Sequence, residues 1–181
     1  MIFPIDGQKA PHYIPAISEK TSLSFSLEQN EKLLRLFEFL KNLSGTTYHR
    51  FLKDLVEKCE SNGDIPSYLS NIKCLDLSHC ELQTLPDEIV ALSSLEELIL
   101  INNRLTQLPS SLISLSYLRD VQLQNNLFTA VPSAICSIAQ SRIRENKVFN
   151  LYLRENPIPT IPSKIKAVVR SMPCFNTIYV V

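Results

Sequence analysis

The chain has 181 residues, 45% of them hydrophobic, and 18 Lys plus Arg balance 18 Asp plus Glu. That length supports one substantial core, and the zero net charge argues against a global field that would recruit nucleic acid or an anionic membrane. Glycine occurs only at Gly7, Gly45 and Gly63, too sparse for a phosphate-cradling loop, so no nucleotide cofactor is expected.

Taken from the amino terminus, residues 1–24 carry Pro4, Pro11 and Pro15 and show no sustained hydrophobic period, which predicts an extended or partly disordered arm. Met1 to Ala10 lacks a charged stretch followed by an apolar run, and no segment approaches the length of a membrane span. Neither a classical signal peptide nor membrane insertion is expected. The five cysteines (Cys59, Cys74, Cys80, Cys136, Cys174) are odd in number and scattered, which fits a reducing, cytoplasmic working compartment.

Residues 25–64 predict a helical hairpin. Ser26 and Gln29 have the spacing of a capping box, and Leu33, Leu34, Phe37, Leu40 and Leu43 follow on one helical face before Gly45. Thr46 or Thr47 can cap a second helix bearing Tyr48, Phe51, Leu52, Leu55, Val56 and Cys59, with Gly63 in the next turn.

From residue 65 to 181 one pattern recurs. Its four copies are Ile72-x-x-Leu75-x-Leu77-x-x-Cys80-x-Leu82, Leu95-x-x-Leu98-x-Leu100-x-x-Asn103-x-Leu105, Leu118-x-x-Val121-x-Leu123-x-x-Asn126-x-Phe128 and Val148-x-x-Leu151-x-Leu153-x-x-Asn156-x-Ile158. Their starts lie 23, 23 and 30 residues apart. The period-two part puts alternate residues on one face of a short strand. The polar ninth position can cap backbone groups where the chain turns and stack as a ladder. A second motif follows each copy at Leu85-Pro86, Leu108-Pro109, Val131-Pro132 and Ile161-Pro162, where proline suits the start of a short helix and would break a sheet. One unit's apolar residues contribute about 1.5–3 kcal/mol each when buried, against about 1–2 kcal/mol of backbone entropy for every ordered residue, so units must stack to complete their burial. Ile65-Pro66-x-x-Leu69 has the form of half a unit, the extra residues of the third unit continue a helix through Ile143, and Phe175-x-x-Ile178-x-Val180 predicts a last strand.

This pattern resembles the leucine-rich repeat family. The resemblance implies an α/β leucine-rich repeat solenoid, with a parallel β-sheet on the concave face, short helices on the convex face and the helical hairpin as its amino-terminal cap. The Leu-Pro-x-x-Ile variant behind such a cap is similar to repeat proteins that intracellular bacteria deliver into host cells, and similar repeats occur in Ras-associated cytosolic proteins. Members of both kinds mostly bind proteins through the concave sheet.

The face that should be solvated carries Asp76, then Glu97, Ile99, Ile101 and Asn102, then Asp120, Gln122 and Gln124, then Tyr152 and Arg154, with Tyr179 on the expected last strand. Asp76, Glu97 and Asp120 are expected to form an acidic edge. Ile99 and Ile101 are large apolar groups on a face meant for water, the signature of a partner-binding patch. The expected function is therefore a non-catalytic module binding a protein partner, in the resemblance a host protein met by a bacterial effector delivered without a classical signal peptide. Two alternatives remain: the substrate-recognition part of a larger ubiquitin-ligase-type enzyme, and a scaffold self-associating through its carboxyl edge. Cys74-Leu75-Asp76 matches the Cys-x-Asp element of a bacterial ubiquitin-ligase family that also carries such repeats, but here it lies inside a repeat strand. Cys74, His79 and Cys80 lack a second Cys or His pair nearby, so no metal site is expected. Thiol counting on denatured, unreduced protein protected from air should find all five cysteines free; a reproducible count of three would overturn the reducing-compartment argument.

Overall fold

The structure is a computed structural model, and it describes residues 18–46, 50–145 and 147–159. Residues 1–17 of the expected arm, Thr47 and Tyr48, the fourth proline motif from residue 160 onward and the expected last strand with Tyr179 lie outside the described residues.

Helices α1 (Ser18–Thr46), α2 (Arg50–Asn62) and α3 (Ile65–Ser70) precede the repeats. Residues 18–24 are helical, which corrects the extended arm over that stretch: beyond Pro15 no proline or glycine interrupts the chain until Gly45. Ser26 and Gln29 therefore sit within a helix instead of opening one, and the Gln29 side chain donates to the Ala91 carbonyl at 2.8 Å. The buried face of α1 is Leu33, Leu36, Phe37 and Leu40, while Leu34 is 44% exposed. Leu36 thus replaces Leu34 in the expected stripe, because α1 packs on α2, on α3 and on the first convex segment together. In α3, Asp64 caps the helix by accepting from Ser67 N–H at 3.1 Å, with Pro66 in the first turn.

Four three-residue strands follow: β1 (Cys74–Asp76), β2 (Glu97–Ile99), β3 (Asp120–Gln122) and β4 (Asn150–Tyr152). They pair in parallel in chain order, so that Leu75, Leu98, Val121 and Leu151 are level with one another. These four, with Leu77, Leu100, Leu123 and Leu153, are buried as the alternation predicts. Each strand ends in a sharp bend at a residue with positive φ: His79 (56°), Asn102 (55°), Asn125 (51°) and Glu155 (58°). Asn tolerates this left-handed backbone better than most residues.

The ladder of asparagines closes these bends. Asn103 donates to the carbonyls of Leu100 (3.0 Å) and Ile101 (3.3 Å) in its own unit and of Leu77 (2.8 Å) in the unit before, while its Oδ1 accepts from Cys80 N–H (3.2 Å) and Leu82 N–H (2.9 Å). Asn126 repeats the arrangement with Leu100, Leu123 and Gln124 carbonyls and Leu105 N–H. Asn156 does so with Leu123, Leu153 and Arg154 carbonyls and Phe128 N–H. Every asparagine thus serves the unit behind it. Cys80 fills the slot in the unit of β1, the first strand of the described sheet, where its thiol donates to the Ser78 carbonyl at 3.3 Å.

On the convex side, Pro86 and Pro109 lead into 3₁₀ turns at Asp87–Ala91 and Ser110–Ser114, with i to i+3 bonds such as Ile89 N–H to Pro86 O at 3.2 Å. A 23-residue unit leaves few residues to cross its outer face, and a 3₁₀ turn covers more length per residue than an α-helix. The longer third unit has room for α4 (Ser133–Arg144). The insertion does more than thicken the outer face. Arg142 is buried, donating from Nε to Leu118 O (3.3 Å) and from Nη2 to Leu115 O (3.1 Å), and pairing with Glu145 at 3.3 Å. The same insertion shifts the apolar phase before β4: Val148, expected inside, is 46% exposed, and Phe149 is 0% exposed in its place.

Replacing Asn103 by Ala strands backbone groups from two units at once. Denaturant unfolding should show a loss of about 3 kcal/mol or more, against about 0.5 kcal/mol for Thr106→Ala at an exposed site; equal losses would remove the ladder from its structural role.

Candidate functional site

The strand residues that alternate with the core positions form three columns across the concave face. The first is Cys74, Glu97, Asp120 and Asn150, and the second Asp76, Ile99, Gln122 and Tyr152. Backbone bonds from His79 N–H to Ile101 O (2.9 Å), Asn102 N–H to Gln124 O (3.0 Å) and Asn125 N–H to Arg154 O (2.9 Å) carry the ladder past the strands, so the third column is Ser78, Ile101, Gln124 and Arg154. Beside it His79, Asn102 and Asn125 form a chain of side-chain hydrogen bonds, with Asn102 Nδ2 and His79 Nε2 at 2.9 Å.

Ile99 and Ile101 are half-buried and lie opposite Leu98 and Leu100, both 0% exposed in the core. Ile99 ends β2 and Ile101 lies two residues beyond it on the same face, placed as their alternation with the leucines predicts. Gln122 stands between Ile99 and Tyr152 in the same column, so the tyrosine is two strand spacings away, about 10 Å. Arg154 is exposed at the end of the third column.

The three carboxylates do not form one line. Glu97 and Asp120 are adjacent in the first column, whereas Asp76 is level with Ile99 in the second. Each is also engaged locally: Asp76 accepts from Ser78 Oγ (2.6 Å) and Ser78 N–H (2.9 Å), Glu97 from Gln122 Nε2 (3.0 Å), and Asp120 from Asn150 Nδ2. Arg119 lies 3.7 Å from Asp120 and 3.1 Å from Glu96, which Lys73 also contacts at 2.8 Å, and the hydrogen bond from Lys73 holds the Glu96 carboxyl below its usual range. The expected acidic edge is thus broken up by register and by these partners. The face is polar with one apolar pair on it. Gln124 Oε1, next to Ile101 in the third column, is the buried side-chain polar atom without a hydrogen-bond partner among the described residues.

Cys74 heads the first column. Burial above all, and then the nearby Glu97 and Asp76 carboxylates, push its thiol up to about 11. An activated cysteine needs the opposite setting, with a positive charge or a helix amino terminus beside it. Among the described residues no group of three or more His, Cys, Asp or Glu could hold a metal ion, and no helix is long and apolar enough to cross a membrane.

A sequence profile described as Leucine Rich Repeat matches residues 71–92, the first of the four units laid out above. The array is a leucine-rich repeat solenoid. Among solved structures the chain is similar to a leucine-rich repeat protein of Leptospira interrogans, at 29% identity and a TM-score of 0.49, covering 56% of this chain and 24% of that one. It is also similar to the leucine-rich repeat domain of the type III effector XopL, at 18% identity and a TM-score of 0.48, covering 87% of this chain and 71% of that one. The chain therefore spans about a quarter of the Leptospira protein. No curated protein matches the sequence.

One feature of the site escaped sequence reasoning. A groove beside β1 is walled by α2 and α3, and its residues come from three separate elements with no common period to announce them. The setting of Cys74 has a chemical readout as well. At pH 8 its alkylation by iodoacetamide, followed by peptide mapping, should be about a hundredfold slower in the folded than in the denatured protein, rising as pH approaches 11; a folded rate within threefold of the denatured one would refute the burial argument.

Proposed function

We propose that the chain is a non-catalytic protein-interaction module whose concave sheet holds a protein partner anchored on Ile99 and Ile101. The observation that carries this is the placement of two adjacent isoleucines on the face opposite Leu98 and Leu100, on a sheet whose other concave positions are polar. Apolar groups surrounded by a polar rim are the usual composition of an interface centre. Asp76, Glu97, Asn102, Asp120, Gln122, Tyr152 and Arg154 are the surrounding contacts in this proposal, and Tyr179 extends it beyond the described residues.

Delivery from a bacterium into a host cell, with a host protein as the partner, is the finer part of the proposal. It rests on the resemblance of the Leu-Pro-x-x-Ile repeats and helical cap to repeat effectors, and on cysteines suited to a reducing compartment.

The test is the double variant Ile99→Ser, Ile101→Ser compared with Ile113→Ser, an exposed apolar residue on the convex side. Thermal unfolding of the double variant should change by only about 0.5 kcal/mol per site. Its affinity for a partner captured by the wild-type chain from host lysate should fall by about 2 kcal/mol or more, and the convex variant should bind like wild type. Equal losses for both variants, or none for either, would move the site off the concave sheet.

A further inference from the structure

We infer that the outer edge of β1 and the groove beside it bind an extended peptide by adding it to the sheet as a further strand. The groove has a volume of about 630 Å³ and lies between α2, α3 and the entry of β1. Its walls include Phe51 and Lys58 from α2, Tyr68 from α3, and Ile72, Lys73 and Cys74 leading into the strand.

Two independent features point to a peptide strand as the occupant. The first is the backbone. β1 is the outermost strand of the described sheet, and it meets β2 through the Lys73 carbonyl, which accepts from Glu97 N–H at 2.9 Å, and through Leu77 N–H, which donates to Ile99 O at 2.8 Å. Bonding groups alternate from side to side along a strand. Those of Cys74, an odd number of residues from both, therefore point away from β2, on the side where the groove lies. Outward N–H and C=O groups at a strand edge are a template for another strand, and main-chain pairing is the recognition chemistry that Cys74 offers there.

The second feature is the wall facing that edge. Phe51, 38% exposed, together with the half-buried Tyr68 and Ile72, offers an apolar surface to side chains that alternate along an added strand. Lys58 and Lys73 outnumber Asp54 around the groove, and Lys73 is already held by Glu96 at 2.8 Å. Among the described residues that line the groove, Lys58 is the cation without an ion pair, placed to meet an incoming carboxylate. The preferred segment is thus extended, apolar at alternate positions, and carries an Asp or Glu placed to reach Lys58. This site is distinct from the Ile99 and Ile101 pair, so each proposal can fail without the other.

The test uses the full chain and an array of fluorescent octapeptides alternating Val or Ile with Thr or Asp, read by anisotropy. For the best binder, N-methylation of alternate amides should weaken binding about tenfold or more, while N-methylation of the intervening amides should change it by about twofold or less, the period-two signature of strand addition. Lys58→Glu and Phe51→Ser, both on the surface and checked for retained folding by circular dichroism, should each weaken it about fivefold or more, whereas Ile99→Ser with Ile101→Ser should leave it within about twofold. No binding across the array, a uniform response to N-methylation, or indifference to both groove variants would overturn the inference.

Discussion

A buried asparagine that must satisfy backbone groups in two repeats at once is the interaction on which this molecule depends. The bend after each short strand leaves carbonyls and amides pointing inward, where water cannot reach them. Asn103, Asn126 and Asn156 supply donors and acceptors for those groups, and each does so across the boundary with the unit behind it. Polar satisfaction therefore couples neighbours as firmly as the stacked leucines do. A unit taken alone would lose both half of its apolar burial and the partners of its own turn.

The direction of that coupling accounts for the asymmetry of the array. Because each asparagine faces backward, the ninth position at β1 has no strand of the described sheet behind it, and a small, weakly polar cysteine is enough there. What the amino-terminal end needs is cover for its apolar core, and α1, α2 and α3 provide it. Gln29 reaching Ala91 O and Arg35 reaching Glu88 at 3.3 Å tie α1 to the first convex segment. The helices thus lean on the convex side and leave the groove open at the entry of β1.

On the concave face the same constraint acts as a ruler. Parallel register holds equivalent residues of successive units one strand spacing apart. Polar residues brought side by side in this way satisfy one another, Asn150 with Asp120 within a column and Gln122 with Glu97 across two columns. Internal pairing of this kind reduces their call on a partner, and in the proposed interface leaves the isoleucines as the groups that gain most from contact. Interface energy concentrates in a few such residues, with the neighbouring pairs shaping the fit.

The repeat spacing by itself determined the strands, the inward set of leucines, the asparagine ladder and the opposite placement of Ile99 and Ile101, because period-two alternation and a fixed ninth position are local properties of the chain. Tertiary structure decided what depends on contacts between distant segments. Leu36 instead of Leu34 is buried because three elements surround α1. Phe149 displaces Val148 because the inserted helix changes how the chain re-enters the sheet, and Arg142 turns inward because the Leu115 and Leu118 carbonyls, at the junction with the preceding unit, lie within its reach. Asp76 stands two residues further into its unit than Glu97 and Asp120 do, so it falls in another column, while Gln122 and Asn150 from the following units hold Glu97 and Asp120. The groove exists only once α2 and α3 are set against β1, since residues so far apart in the chain share no pattern until the fold brings them together.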